Sequence, residues 1–192
     1  MKNLRKITIA ILTLTMLFGF CACTKSNTPT VVVEKQMQQI KEEQVETELS
    51  SLVSDSSIAK KYKKDYQKLL KKIQDFDYEV TKEKINGDSA TVTVKITTYD
   101  FGKAYKQMYQ QISKDAAAGK ITSSTDTTSY VYKLLFSKMN ALEDKDYSTT
   151  VKVKCTKDDD GTWSTNILDD STIEDAILGG VMTIANSTSS SK

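Results

Sequence analysis

Apolar residues recur along this chain at two spacings, and the order in which the spacings alternate outlines the fold. Over residues 32–53, Val33, Met37, Ile40, Val45, Leu49 and Leu52 follow a roughly helical period among Glu, Lys and Gln. Asp55-Ser56-Ser57 interrupts and can cap a second helix, on which Ile58, Tyr62, Tyr66, Leu69, Leu70 and Ile73 share a face. The period then drops to two. Phe76, Tyr78 and Val80 alternate with Asp77 and Glu79, and Ala90, Val92, Val94 and Ile96 alternate with Thr91, Thr93, Lys95 and Thr97. Asn86-Gly87-Asp88 between these runs predicts a hairpin, because Asn and Gly accept the positive φ of a type I′ turn. The register slips within residues 81–84, where a bulge is expected.

Helical spacing returns after Asp100, an N-cap candidate, with Phe101, Ala104, Tyr105, Met108 and Ile112 on one side and Gly119 as the stop. A polar loop at 121–128 leads to a fourth helix with Val131, Leu134, Leu135, Met139 and Leu142 as its stripe. A second alternating run spans 147–157, with Val151, Val153 and Cys155 inward. It turns at Asp158-Asp159-Asp160-Gly161 and returns through Trp163, Thr165 and Ile167. Ser171-Thr172-Ile173-Glu174 reads as a capping box opening a last helix, in which Gly179-Gly180 implies close packing or a kink. Residues 186–192 read as a disordered serine-rich tail. Two hairpins with helices before, between and after them predict one α+β domain over residues 32–185, with about five helices.

The first 23 residues follow a different rule. Lys2, Arg5 and Lys6 precede an uncharged, mostly apolar run at 7–20, and Ala22 stands before Cys23. This is the layout of a secretory signal peptide, with an apolar core shorter than the roughly 20 residues a membrane-spanning helix needs. Phe20-Cys21-Ala22-Cys23 resembles the lipobox of bacterial lipoproteins. The resemblance implies cleavage after residue 22, a diacylglyceryl group on Cys23, acylation (such as palmitate) of the new amino terminus, and residues 23–31 as lipidated cysteine and tether. The alternatives are an ordinary cleaved signal, with Cys23 a bystander, or an uncleaved anchor.

Composition then narrows the chemistry. The signal holds three of the 27 basic residues and no acid, so the remaining chain carries 24 basic against 25 acidic side chains. That near-neutral balance gives no case for nucleic acid as a partner. The sequence contains no histidine, which excludes Ser-His-Asp and Cys-His catalysis and histidine-ligated zinc. With Cys21 removed and Cys23 lipidated, Cys155 has no intrachain partner, and it reads as a core residue. The acids at 158–160 fail the calcium-loop pattern, because Thr156 and Ile167 would fall on ligand positions; a turn is expected. No glycine-rich phosphate loop is present. No metal and no cofactor is expected. Lysine- and threonine-rich, proline-poor composition suggests a low-GC Gram-positive source.

The segments Ile85-Asn86-Gly87-Asp88-Ser89-Ala90-Thr91-Val92-Thr93-Val94 and Asp160-Gly161-Thr162-Trp163 resemble those of nuclear-transport-factor-2-like (cystatin-like cone) lipoproteins of unknown function. This resemblance implies a curved antiparallel sheet wrapped around helices, with a pocket at the mouth of the cone. Tyr99, Asp100, Tyr105, Tyr109 and Trp163 are the candidate pocket residues. The functional expectation is a non-enzymatic extracytoplasmic module. It would be held to the membrane by its lipid and would bind an unidentified small molecule or envelope protein. The alternatives are a cone-fold hydrolase or isomerase using an Asp/Tyr pair, or a structural envelope factor whose lysine-rich helix at 58–73 meets lipid.

Overall fold

A computed structural model describes residues 27–42, 60–167 and 169–189. Six helices and four strands are present among them. They run α1 (Pro29–Glu42), α2 (Lys63–Gln74), β1 (Asp77–Asn86), β2 (Ser89–Thr98), α3 (Phe101–Ala117), α4 (Thr127–Asn140), β3 (Tyr147–Lys157), β4 (Trp163–Thr165), α5 (Ser171–Ile177) and α6 (Val181–Ser189). The strands form one antiparallel sheet in the order β1-β2-β3-β4. The α+β class holds, and the two expected hairpins join through the β2–β3 ladder, in which Thr98 pairs with Tyr147.

The chain builds two apolar clusters. The first lies on one sheet face, where Val92, Val94, Ile96, Val151, Val153 and Cys155 meet Val33 and Met37 of α1 and Ile173, Ala176 and Ile177 of α5. The second is helical: Leu69 of α2, Phe101, Ala104, Tyr105 and Met108 of α3, and Leu135, Phe136 and Met139 of α4, with Val181 and Ile184 of α6 against them. Ile73 touches both. Burying such side chains contributes about 1.5–3 kcal/mol each, so two clusters of this size account for most of the driving force.

Local chemistry explains the element ends. The hairpin pairs Asn86 with Ser89, so the turn residues are Gly87 and Asp88. Gly87 alone has positive φ, at 60°, the pattern of a type II′ turn rather than the expected I′. The bulge falls between Val80 and Lys82, inside the expected window. Asp100 caps α3 by accepting from Lys103 N (2.7 Å), and Asp126 caps α4 by accepting from Ser129 N (3.0 Å).

Four boundaries differ from the sequence reading. Pro29 opens α1 instead of sitting in a flexible tether, because its missing N–H costs nothing at a first helical position. Residues 43–59, with the expected continuation of α1, the Asp55–Ser57 cap and Ile58, lie outside the described residues. The expected capping box starts one residue late: Asp170 is the cap, accepting from Thr172 N (2.8 Å). Gly179 (φ 58°) and Gly180 (φ 77°) do not kink one helix but end α5, and Asp175 caps α6 by accepting from Met182 N (2.7 Å) and Thr183 N (3.3 Å). That helix runs to Ser189, past residue 186 where the tail was expected to begin.

Strand β4 is short for a specific reason. Gln36 of α1 donates to Thr165 O (2.8 Å) and accepts from Ile167 N (3.1 Å), replacing the sheet ladder there. Ile167 still reaches the sheet core.

Candidate functional site

The densest polar constellation lies where the two clusters meet. Asp75 follows α2 as its C-cap residue, Asp77 opens β1, Tyr99 sits in the two-residue link from β2 to α3, and Lys145 precedes β3. Tyr99 OH donates to Asp75 Oδ2 (2.8 Å), and Lys145 Nζ donates to Asp75 Oδ1 (2.7 Å) and Asp77 Oδ2 (3.0 Å). Lys41, in the last turn of α1, lies 3.9 Å from Asp77 and donates to Phe76 O (2.5 Å). Lys72 stands over the Tyr99 ring at 4.1 Å from its centroid and donates to Leu142 O.

Electrostatics favour the ionised network. Burial pushes the Asp75 carboxyl up, but the hydrogen bonds from Lys145 and Tyr99 outweigh it and hold the group below its ordinary value. The Asp75 hydrogen bond, with burial, pushes the Tyr99 phenol up. Burial lowers Lys145, yet its bonds to both carboxylates leave it raised overall. Tyr99 therefore keeps its proton and donates a hydrogen bond through it to Asp75, which stays anionic. The arrangement fastens α1, α2, β1 and the α4–β3 link to one another. The carboxylates of Asp75 and Asp77 remain 54% and 64% exposed, so solvent and solutes reach them.

The structure separates the five candidate pocket residues. Tyr99 and Tyr105 belong to the helical cluster, whereas Trp163 is buried in the sheet cluster. Tyr105 and Tyr109 do meet, with rings 5.0 Å apart at 60° and hydroxyl oxygens at 3.4 Å. Burial, then Tyr109, pushes the Tyr105 phenol well up. Asp100 is committed to its cap. Trp163 is held by its backbone: its N–H donates to Asn27 Oδ1 (2.5 Å) and its carbonyl accepts from Asn27 Nδ2 (3.3 Å). Cys23 lies outside the described residues. Cys155 is buried, and burial pushes its thiol up.

Sequence reasoning placed the Asp/Tyr pairing on Asp100, next to Tyr99 in the chain, and missed Asp75 and Lys145. No local signal marks a contact between residues 24 and 70 positions apart. A second unanticipated cluster closes the α3–α4 hairpin. Asp115 accepts from Tyr130 OH (2.6 Å), Lys120 Nζ (2.9 Å) and Gln111 Nε2 (3.0 Å), and its carboxyl is held far below the usual range by those bonds, Tyr130 first. Among the described residues no group of three or more His, Cys, Asp or Glu side chains is arranged to hold a metal, and no helix is long and apolar enough to cross a membrane.

No family model matches the chain, and no curated protein sequence matches it. Among solved structures, the chain is similar to the crystal structure of YcdA, a candidate lipoprotein of Bacillus subtilis. The identity is 15% and the TM-score 0.42, covering 93% of this chain and 54% of that one. The chain thus spans about half the length of that protein, and a likeness at this level carries no argument for fold or function.

Proposed function

We propose that the protein is a lipid-anchored extracytoplasmic module that binds a ligand or an envelope protein and carries out no catalysis. The observation that carries this reading is the layout of residues 1–23, three basic residues, an apolar run at 7–20, and Ala22 before Cys23. The structure adds a supporting detail. Asn27, four residues after Cys23, is already bonded to the sheet edge at Trp163. Four residues span at most about 14 Å, so an acyl chain on Cys23 holds the domain against the membrane surface. Two or three acyl chains anchor firmly, since each buried methylene contributes about 0.8 kcal/mol. The nuclear-transport-factor-2-like cone belongs to the same reading. One antiparallel sheet with α1 and α5 across a single face is the arrangement such a cone requires.

The test is intact-mass analysis and fatty-acid labelling of the full chain expressed in a bacterial host. Expected are loss of residues 1–22, a mass increment of a diacylglyceryl group, and incorporation of label that Cys23→Ala abolishes. An unmodified amino terminus in the wild-type chain refutes the reading.

A second reading, the Asp/Tyr enzyme, draws on the Asp75–Tyr99 bond of 2.8 Å and the solvent-reachable carboxylate. It moves the proposed pair from Asp100 to Asp75. Hydrolase or isomerase turnover lost in Asp75→Asn, with unchanged fluorescence of the single tryptophan, supports that reading against the first.

A further inference from the structure

Among the described residues, helices cover one face of the sheet and leave the other open. Strand register puts two rows of basic residues on the open side. Lys84, Thr91 and Lys154 sit side by side across β1, β2 and β3, and Lys82, Thr93 and Lys152 form the next row. These four lysines are exposed and the two threonines are half-buried, whereas the intervening Val92 and Val153 face α1 and α5. With strands about 4.8 Å apart and same-face neighbours about 6.8 Å apart along a strand, the lysine stems rise from the corners of a patch of about 10 by 7 Å. No acid lies within these rows, and none of the four lysines takes part in an ion pair among the described residues. The next row pairs Glu79 with Lys95, and the one beyond it opens with Asp77. The open face is therefore basic toward the β1–β2 turn and acidic or neutral toward the other end.

The chain enters at the basic end. Asn27 is bonded at Trp163, and Thr30 donates from N and Oγ1 to Glu83 of β1 (2.9 and 2.7 Å). Asn27 and Thr30 thus lie at the end of the sheet that carries the lysine rows, and Cys23 is four residues before Asn27. The lysine-rich helix α2 packs instead in the helical layer, against α4.

We infer that the open Lys82–Lys84–Lys152–Lys154 face of the sheet is a docking surface for anionic lipid headgroups, on which the anchored protein lies. This rests on the lipid anchor proposed above. Asp88 and Asp158, Asp159 and Asp160 occupy the two turns at the same end, so an end-on approach is repelled and the flat face is the side that meets an anionic leaflet. Each lysine near such a surface strengthens association about five-fold, and the threonine hydroxyls between them donate to phosphate oxygens.

The experiment uses protein purified from membranes of expressing cells and reconstituted into vesicles of phosphatidylcholine alone or with 30 mol% phosphatidylglycerol. A fluorophore is placed at Thr150→Cys on the open face, or at Gln107→Cys on α3. Cys155, buried, does not compete for the label. Expected is a fall of about two-fold or more in acrylamide quenching of the Thr150→Cys probe on phosphatidylglycerol vesicles. The effect reverses in 0.5 M salt and in a quartet of Lys→Gln substitutions at 82, 84, 152 and 154. The Gln107→Cys probe does not change. Equal quenching on both vesicles overturns the proposal. So does protection that survives the quartet but is lost when Lys63, Lys64 and Lys68 are changed, and so does protection already present in detergent. Failure of the anchor reads separately, in the mass of the amino terminus and in membrane fractionation of Cys23→Ala.

Discussion

Replacing Gly179 by alanine tests the contact that holds the α5–α6 turn against the start of α3. Gly179 has φ 58°, and a Cβ there comes within 2.2 Å of Tyr99 O and 2.9 Å of Phe101 N. Both obstacles are backbone, so neither rotates away. Gly102 N donates to Gly179 O (3.0 Å), and any shift that relieves the clash also breaks this bond. Left-handed backbone costs a non-glycine residue roughly 1–2 kcal/mol, and overpacking adds roughly 1–3 kcal/mol. Gly179→Ala is thus expected to destabilise by about 2–5 kcal/mol. Gly87 supplies the control: its φ is 60°, and a Cβ there meets nothing within 4 Å. Gly87→Ala therefore carries the strain alone, about 1–2 kcal/mol. Urea unfolding followed by fluorescence of the buried Trp163 reads the difference. With a slope of about 2 kcal/mol/M, Gly179→Ala lowers the midpoint by about 1–2.5 M and Gly87→Ala by under about 1 M. Equal midpoints for the two variants refute the steric argument.

Three further expectations follow from named contacts. Asp115 has a folded-state carboxyl below its unfolded value, so its contribution to stability is present above about pH 4 and is lost as pH falls through the depressed value. The difference in thermal midpoint between wild type and Asp115→Asn is therefore largest near neutral pH and shrinks in acid; a difference constant from pH 7 to pH 2 contradicts this. Gln36→Ala leaves Thr165 O and Ile167 N without their partner and is expected to cost about 1–3 kcal/mol in the same urea assay, whereas a cost below about 0.5 kcal/mol contradicts the bridging role. The Cys155 thiol, buried and pushed up, should react with iodoacetamide only at the rate of global unfolding, and labelling that keeps pace with free cysteine contradicts its core placement.

The parts of this fold that were legible in the sequence are those decided by local rules. Alternation put Val92, Val94, Val151 and Val153 on one face because a strand's side chains point to opposite sides in turn, and the same parity left Lys152 and Lys154 outside. Asp100 was readable as a cap because the bond it makes spans three residues. What escaped depends on partners distant in sequence. Gln36 looks like any polar helix residue until β4 is laid beside it. Asp75 reads as a helix end, and only the fold brings Tyr99 and Lys145 to it. The glycine pair was visible, but that it ends a helix shows only in the fold, where both residues take positive φ and Gly179 O accepts from Gly102 N. The five pocket candidates divide for a related reason: proximity in sequence and aromatic character gathered residues of both clusters, with Trp163 in the sheet cluster and Tyr105 in the helical one.

The Thr98–Tyr147 pairing is the most costly closure in the sheet. Both hairpins close over a few residues, but the ladder that joins them must first bring together positions separated by everything from Tyr99 to Asp146. An unstructured loop of that length carries a closure entropy that a short turn does not. Antiparallel pairing of α3 and α4, clamped by Asp115 and Tyr130, collapses the intervening segment into a compact insert whose two ends lie side by side. Loop-closure entropy thus predicts that the seam between β2 and β3 closes after the two hairpins, with the packed α3–α4 pair shortening the effective loop between them.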